Sequence, residues 1–247
     1  MILAEYFKKY TDNDYSLLED LVLNMMKGIS SGKEEDVLQR FYHSKIVADL
    51  SLQIKDMLIE QPKSLSDKDK EIFDLLESEG MENDAFVIMA YIHDIYKMSK
   101  FDVKHGKLAA KQFMIWAENL IDGDYTEPQK KILKYMEYAI ENHSVDKKSN
   151  NTLYNVIRDA DVISKYDTNY LVWKNDKITP NILYEKISEK YKPHTKKIIY
   201  VTMVNNVSKI SMNLQKKVAK RVHKEMKKNK KKKKKGDNKN DKKNSKK

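Results

Sequence analysis

The sequence predicts an all-α fold, and three observations predict it. Only six glycines and four prolines interrupt 247 residues, too few for the many turns of a sandwich or barrel. Apolar side chains recur at three- and four-residue spacing along most of the chain. Strand-like alternation is nearly absent; Ile198 to Val204 is β-prone in composition but sits within helical spacing. Hydrophobic residues make up 40% of the chain, which is enough to bury a core and excludes a wholly disordered protein.

The elements follow in order. Residues 14–28 place Leu17, Leu18, Leu21, Val22, Met25 and Met26 at helical spacing, and Ser30, Ser31 and Gly32 end that helix. Residues 35–59 resume with Val37, Leu38, Phe41, Ile46, Val47, Leu50, Ile54 and Met57 on one broad face. Gln61, Pro62 and the polar stretch around Ser66 form a connector, and a helix over 67–79 stops at Gly80. Ala85 to Met98 is a nearly continuous apolar run, which predicts a buried helix. A helix over 104–121 ends at Asp122, Gly123 and Asp124; Glu127 and Pro128 start the next, which runs to His143. Polar residues 144–151 make a loop before a helix over 153–166. Residues 180–191 and 194–227 also read as helical. The expected organisation is an N-terminal helical segment over 1–34, a main domain over 35–226 and a tail over 227–247.

Composition excludes several function classes. With no cysteine, there is no disulfide scaffold, iron–sulfur cluster, thiolate zinc site or cysteine nucleophile. No apolar run reaches the roughly 20 residues of a membrane span. The opening residues, MILAEYFKKY, carry charges too early for a signal peptide, so a soluble cytoplasmic protein is expected. The net charge of +11 is not spread evenly. From Lys216 to Lys247, 17 Lys and one Arg stand against three acids, a local +15 that leaves the first 215 residues with 30 basic and 34 acidic side chains. The body is therefore mildly acidic. The run Lys230 to Lys235 repels itself and lacks an apolar anchor, so the tail is expected to be disordered and to attract polyanions without sequence preference.

The informative residues are polar ones inside apolar stretches. His43 lies between Phe41 and Ile46, His93 and Asp94 lie between Ile92 and Ile95, and Asp161 lies between Ala160 and Val162. His143 closes a face made by Met136, Ala139 and Ile140. A buried carboxylate needs a cation or donors, because leaving it unpaired costs several kcal/mol. Imidazole and carboxylate together suit a divalent ion bound by nitrogen and oxygen: Mn, Fe, Mg, Ni or Co before structural zinc. On a regular α-helix His93 and Asp94 point about 100° apart, so one ion serves both only close to the helix surface.

These stretches resemble a known family. FYHSKIVADL, YIHDIYKM and IRDADVISKYD follow the order His, His-Asp, Asp on successive helices, as in the HD superfamily of metal-dependent phosphohydrolases. The resemblance covers roughly residues 36–170. It implies an HD-like helical bundle in which His43, His93, Asp94 and Asp161 bind a divalent metal. KHGKLAA and AIENHS resemble further stretches of members that hold a second metal, which implies a role for His105 and His143 as its ligands or as phosphate contacts. Lys97 falls at the H-D-x-x-K position, implying a phosphate contact, and Asp159 stands where it would orient a ligand or Arg158. Asp94 would also orient or deprotonate the attacking water. Tyr42, Tyr91 and Tyr96 are candidates for the pocket wall, Trp116 and Trp173 for packing, and His194 and His223 fit no motif and are expected at the surface. The chain departs from the pattern in the separation of 50 positions from His43 to His93, in the short stretch from Asp94 to His105, and in Tyr96, where many relatives have Gly.

The expected activity is hydrolysis of a phosphoester or phosphoanhydride, with a nucleotide as substrate. Two other expectations compete. One is an HD-type nuclease whose Lys-rich tail holds RNA or single-stranded DNA. The other is a non-catalytic, metal-stabilised helical module with a polyanion-binding arm.

Overall fold

The computed structural model describes residues 1–61, 65–121, 123–147 and 149–165, together with residues 194, 195, 199 and 203. Eight α-helices account for these residues, with no strand among them: α1 (Leu3–Thr11), α2 (Ser16–Ile29), α3 (Glu34–Ile59), α4 (Asp67–Ser78), α5 (Asp84–Ile92), α6 (His105–Glu118), α7 (Glu127–Asn142) and α8 (Thr152–Ser164). The fold is all-α, as the spacing predicts. The expected helix at 180–191, Trp173, His223, the tail over 227–247 and, apart from residues 194, 195, 199 and 203, the expected helix over 194–227 lie outside the described residues. None of the described helices is long and apolar enough to cross a membrane.

Two local features explain where helices begin and end. Ser66, Thr126 and Asn151 cap α4, α7 and α8 by accepting from backbone N–H groups of the first turn. In α4 and α7 the capping is reciprocal, since Asp69 and Gln129 reach back to the cap residue's own N–H. At the far end of α4, Met81 N–H donates to Leu76 C=O at 2.8 Å and Gly80 N–H to Glu77 C=O at 3.0 Å. This pairing needs a left-handed residue, and Gly80 supplies it at φ +67°.

Three boundaries depart from the sequence expectation. α1, which the periodicity does not delimit, forms at the N-terminus with Leu3 and Phe7 buried. α2 begins at Ser16 because Asn13, Asp14 and Tyr15 all take positive φ and turn the chain between α1 and α2. The helix expected over 85–98 ends at Ile92. From there the chain tightens into i→i+3 turns, with Ile95 N–H donating to Ile92 C=O and Lys97 N–H to Asp94 C=O. Apolar content alone does not show this, since Ile95 remains buried.

α5 is buried on every side from Ala85 to Ile92, which makes it the core helix. It packs against α3, and α3 in turn packs against α8 and α2. α7 packs against both α6 and α8. Leu3, Phe7, Leu18, Val22 and Met26 of the first two helices join the same hydrophobic cluster as Val47, Ile54, Phe86 and Ile157. Trp116 sits in an aromatic group with Phe7, Tyr10 and Phe113, a packing role. The polar residues of interest sit where five helices meet. His43 is on α3, His93 caps the end of α5, His105 opens α6, His143 caps the end of α7 and Asp161 is on α8.

Candidate metal centre

Asp94 is the hub. Its Oδ2 lies 3.6 Å from Nε2 of His43 and 3.6 Å from Nε2 of His93. Its Oδ1 lies 3.3 Å from Nε2 of both His105 and His143. Asp161 adds a second carboxylate, with Oδ1 3.1 Å from His43 Nε2. Two overlapping donor groups result, His43–His93–Asp161 and His93–Asp94–His143, each with ligand atoms within 4.8 Å of one another. The six residues that the sequence singles out as ligands therefore converge, although they span five helices.

The ring orientations are set from behind. Nδ1 of His93 meets the carbonyl of Ala90 at 2.6 Å, Nδ1 of His105 that of Asp102 at 2.5 Å, and Nδ1 of His143 that of Ile140 at 2.8 Å. A carbonyl only accepts, so each Nδ1 carries the proton and each Nε2 presents a lone pair to the hub. For α5 and α7 these are last-turn carbonyls, which lack helical donors and need a partner. His43 is held differently. Ser164 Oγ–H donates to Asp161 C=O at 2.6 Å, which leaves its lone pairs to accept from His43 Nδ1 at 3.2 Å. The Nε2 atom of His43 then also turns a lone pair toward the carboxylates.

Four imidazole lone pairs and two carboxylates thus face one another out of water. Nε2 of His105 and His143 are only 3.1 Å apart. Among the described residues, neither His93 Nε2 nor Asp94 Oδ1 has a hydrogen-bond partner, and both are buried. The lone pairs and charges of such a cluster could be satisfied by a cation held among them. Donor atoms about 2.1 Å from one ion lie roughly 3.0–4.2 Å from each other, and the carboxylate–imidazole separations here are 3.1–3.6 Å. The nitrogen and oxygen donors suit a borderline or hard divalent ion.

The electrostatics agree with a ligand role. Burial pushes the His93 ring down to about 3, so it stays neutral at physiological pH. Burial also lowers His105, against the pull of the Asp94 charge. Burial opposes ionisation of Asp94, but its surroundings outweigh burial and hold the carboxyl well below its usual range. Asp161 is likewise held low, with Lys165 and His43 outweighing burial. Both carboxylates are therefore ionised, and each has a cation beside it. Arg40 donates from a guanidinium NH1 to Asp94 Oδ2 at 2.9 Å, and Lys165 donates from Nζ to Asp161 Oδ2 at 3.2 Å.

The remaining candidates are placed as follows. Lys97 pairs with Asp102 at 3.1 Å, bracing the turn whose carbonyl orients His105. Asp159 is fully buried and accepts from the backbone N–H groups of His194 and Thr195 and from the Thr195 hydroxyl. Its carboxylate thus ties residues 194–195 to α8 two positions before Asp161. Burial raises the Asp159 carboxyl, although these bonds pull it down. His194, expected at the surface, instead stacks edge-on against Tyr154 and pairs with Asp146 at 2.7 Å. Tyr91 donates its hydroxyl to Glu19, Tyr96 donates to Gln112, and Tyr42 is exposed. None of these three hydroxyls is bonded to the cluster.

The sequence did not single out Arg40, Ser164, Lys165 or Gly106. Arg40 offered a signal, as a cation between Val37 and Phe41 on a buried stripe. Gly106 matters for what it lacks. A Cβ there would come 2.5 Å from the Glu141 carbonyl oxygen of α7. Only glycine lets α6 approach α7 closely enough to bring His105 beside His143. Comparison with family models, with curated proteins and with solved structures gives no match to this chain.

Proposed function

We propose that the chain is a metal-dependent phosphohydrolase of HD type, acting on a phosphoester or phosphoanhydride of a nucleotide. One observation carries this reading: four imidazole Nε2 atoms and two ionised carboxylates converge in a buried hub, with Arg40 and Lys165 at its edge. Its support is the match between that hub and the ordered His, His-Asp, Asp motifs of the resembled family. His43, His93, Asp94 and Asp161 would hold one divalent ion, and His105 and His143, facing the other oxygen of Asp94, would complete a place for a second. A bound divalent ion supplies charge to phosphoryl oxygens and acidifies water.

The chain's own residues supply the rest. Ser164 and the carbonyls of Ala90, Asp102 and Ile140 keep the rings in the tautomer that binds. Arg40 fixes Asp94, so that its two oxygens address the two pairs of histidines. In this reading Asp94 would also orient or deprotonate the attacking water. The test is turnover on a panel of mononucleotides, dinucleoside polyphosphates, cyclic nucleotides and guanosine tetraphosphate with Mn(II). The expected result is hydrolysis of one class by the wild type and a loss of about 100-fold or more in D94A. No turnover on any member, with metal bound, would favour a non-catalytic metal-stabilised module.

A further inference from the structure

The cluster is closed over most of its surface, and its least covered ligand is Asp161. Its side chain is 11% exposed, against 1% for His43, 0% for His93, 4% for Asp94 and 2% for His143. An anionic substrate has to approach where the ligands meet solvent. The cation beside Asp161 is Lys165, one turn further along α8, at 3.2 Å and 25% exposed. Arg40, the cation on Asp94, is 9% exposed and fixed within the core. Lys97 is turned to Asp102.

The two cations therefore differ in what they can do. Without metal, Asp94 and Asp161 carry two negative charges, and Arg40 and Lys165 balance them. A divalent ion that takes Asp161 withdraws the carboxylate's charge and repels an ammonium held against it. Arg40 cannot leave. Lys165 has a flexible four-carbon stem and a partly open position, so it can turn to the rim.

We propose that Lys165 is the substrate-side cation of this centre: it holds Asp161 in the absence of metal and contacts a phosphoryl oxygen once metal has taken Asp161. The proposal rests on the metal-centre reading. It assigns to Lys165 the phosphate contact that the sequence pattern suggested for Lys97.

Calorimetric titration with Mn(II), then with inorganic phosphate on the Mn-loaded protein, tests it in wild type, K165M, K165R and K97M. K165M is expected to bind Mn(II) about threefold more tightly, because a competing charge is gone. It is expected to bind phosphate about tenfold more weakly, the loss of one charge-assisted hydrogen bond. K165R should keep phosphate affinity within about threefold of wild type, and in K97M any loss should fall on Mn(II) and phosphate alike, because Lys97 braces the turn behind His105. A merely structural lysine would not move the two affinities in opposite directions. Phosphate affinity unchanged in K165M, or lost in K97M with Mn(II) affinity kept, would overturn the assignment of Lys165 alone. No Mn(II) uptake by the wild type would overturn the metal-centre reading and this assignment with it.

Discussion

Substituting Gly106 by alanine isolates one contact that assembles the site. The added Cβ meets the Glu141 carbonyl oxygen at 2.5 Å and the Ile140 carbonyl oxygen at 3.2 Å. Both are backbone atoms of α7 and cannot rotate away. Restoring an ordinary contact of about 3.4 Å requires α6 and α7 to separate by roughly 0.9 Å at this point. His105 is the neighbouring residue on α6, and His143 lies two positions beyond Glu141. Their Nε2 atoms, now 3.1 Å apart, would then stand about 4 Å apart, wider than the roughly 3.0–3.5 Å between neighbouring ligands of one ion. Overpacking of this kind costs about 1–3 kcal/mol, or a Tm loss of roughly 2–12 °C for a chain of this size. Gly28 is the matched control: nothing lies within 4 Å of its added Cβ, so G28A in helix α2 should be neutral or stabilising. The assay is a thermal melt of both variants with chelator and with saturating Mn(II). G106A should melt lower than wild type, and Mn(II) should raise its Tm less. A G106A variant with wild-type Tm and wild-type Mn(II) stabilisation would refute the close approach of α6 to α7 as the device that pairs the histidines.

Three other outcomes follow from the geometry. With chelator present, stability should fall as pH drops from about 6.5 toward about 3, because the unfolded chain protonates His93 before the folded one does. The His93 contribution alone is at most about 5 kcal/mol; Asp94 and Asp161, also held low, act in the same direction, whereas the raised Asp159 opposes them. Urea midpoints across that range check it, and a flat profile would contradict the buried neutral ring. S164A removes the group that accepts from His43 Nδ1 and should weaken Mn(II) binding by about 10-fold or more, and it should lower the urea midpoint of the metal-free protein by the cost of leaving a buried N–H unpaired, about 1–3 kcal/mol. Deleting residues 227–247 should leave hydrolysis of small nucleotides intact, since every ligand of the hub lies before that segment; strongly salt-dependent loss of activity on RNA or single-stranded DNA would favour the nuclease instead.

Part of the candidate site was legible in the sequence because His43, His93, Asp94 and Asp161 are polar residues inside apolar stretches, whereas the roles of His105 and His143 came from the resembled motifs. His93 and Asp94 stand out in the run from Ala85 to Ile95, and Asp161 does so in α8. What was hidden depends on how helices meet. Arg40 and Asp94 are 54 positions apart, and nothing local reveals that they touch. The same is true of Gly106 against Glu141, and of Ser164 behind His43. The early end of α5 was hidden for a different reason: Ile95 keeps the apolar pattern going while the backbone has already tightened. That tightening changes the geometry of the doublet. His93 is the cap residue and Asp94 begins the turn, so the two side chains reach a common hub from the end of a helix and not from its side. Asp159 shows the limit of pattern transfer, since its neighbour in the motif serves the hub while it anchors residues 194–195.

The central claim is that the buried hub holds divalent metal through Asp94. The most direct measurement is metal content by elemental analysis of protein purified without a histidine tag and equilibrated with Mn(II), beside D94A and D94N. One or two equivalents in the wild type, lost in both variants while their far-UV circular dichroism is unchanged, is the result the geometry requires. Wild-type protein without metal, or variants that keep the full complement, would contradict it.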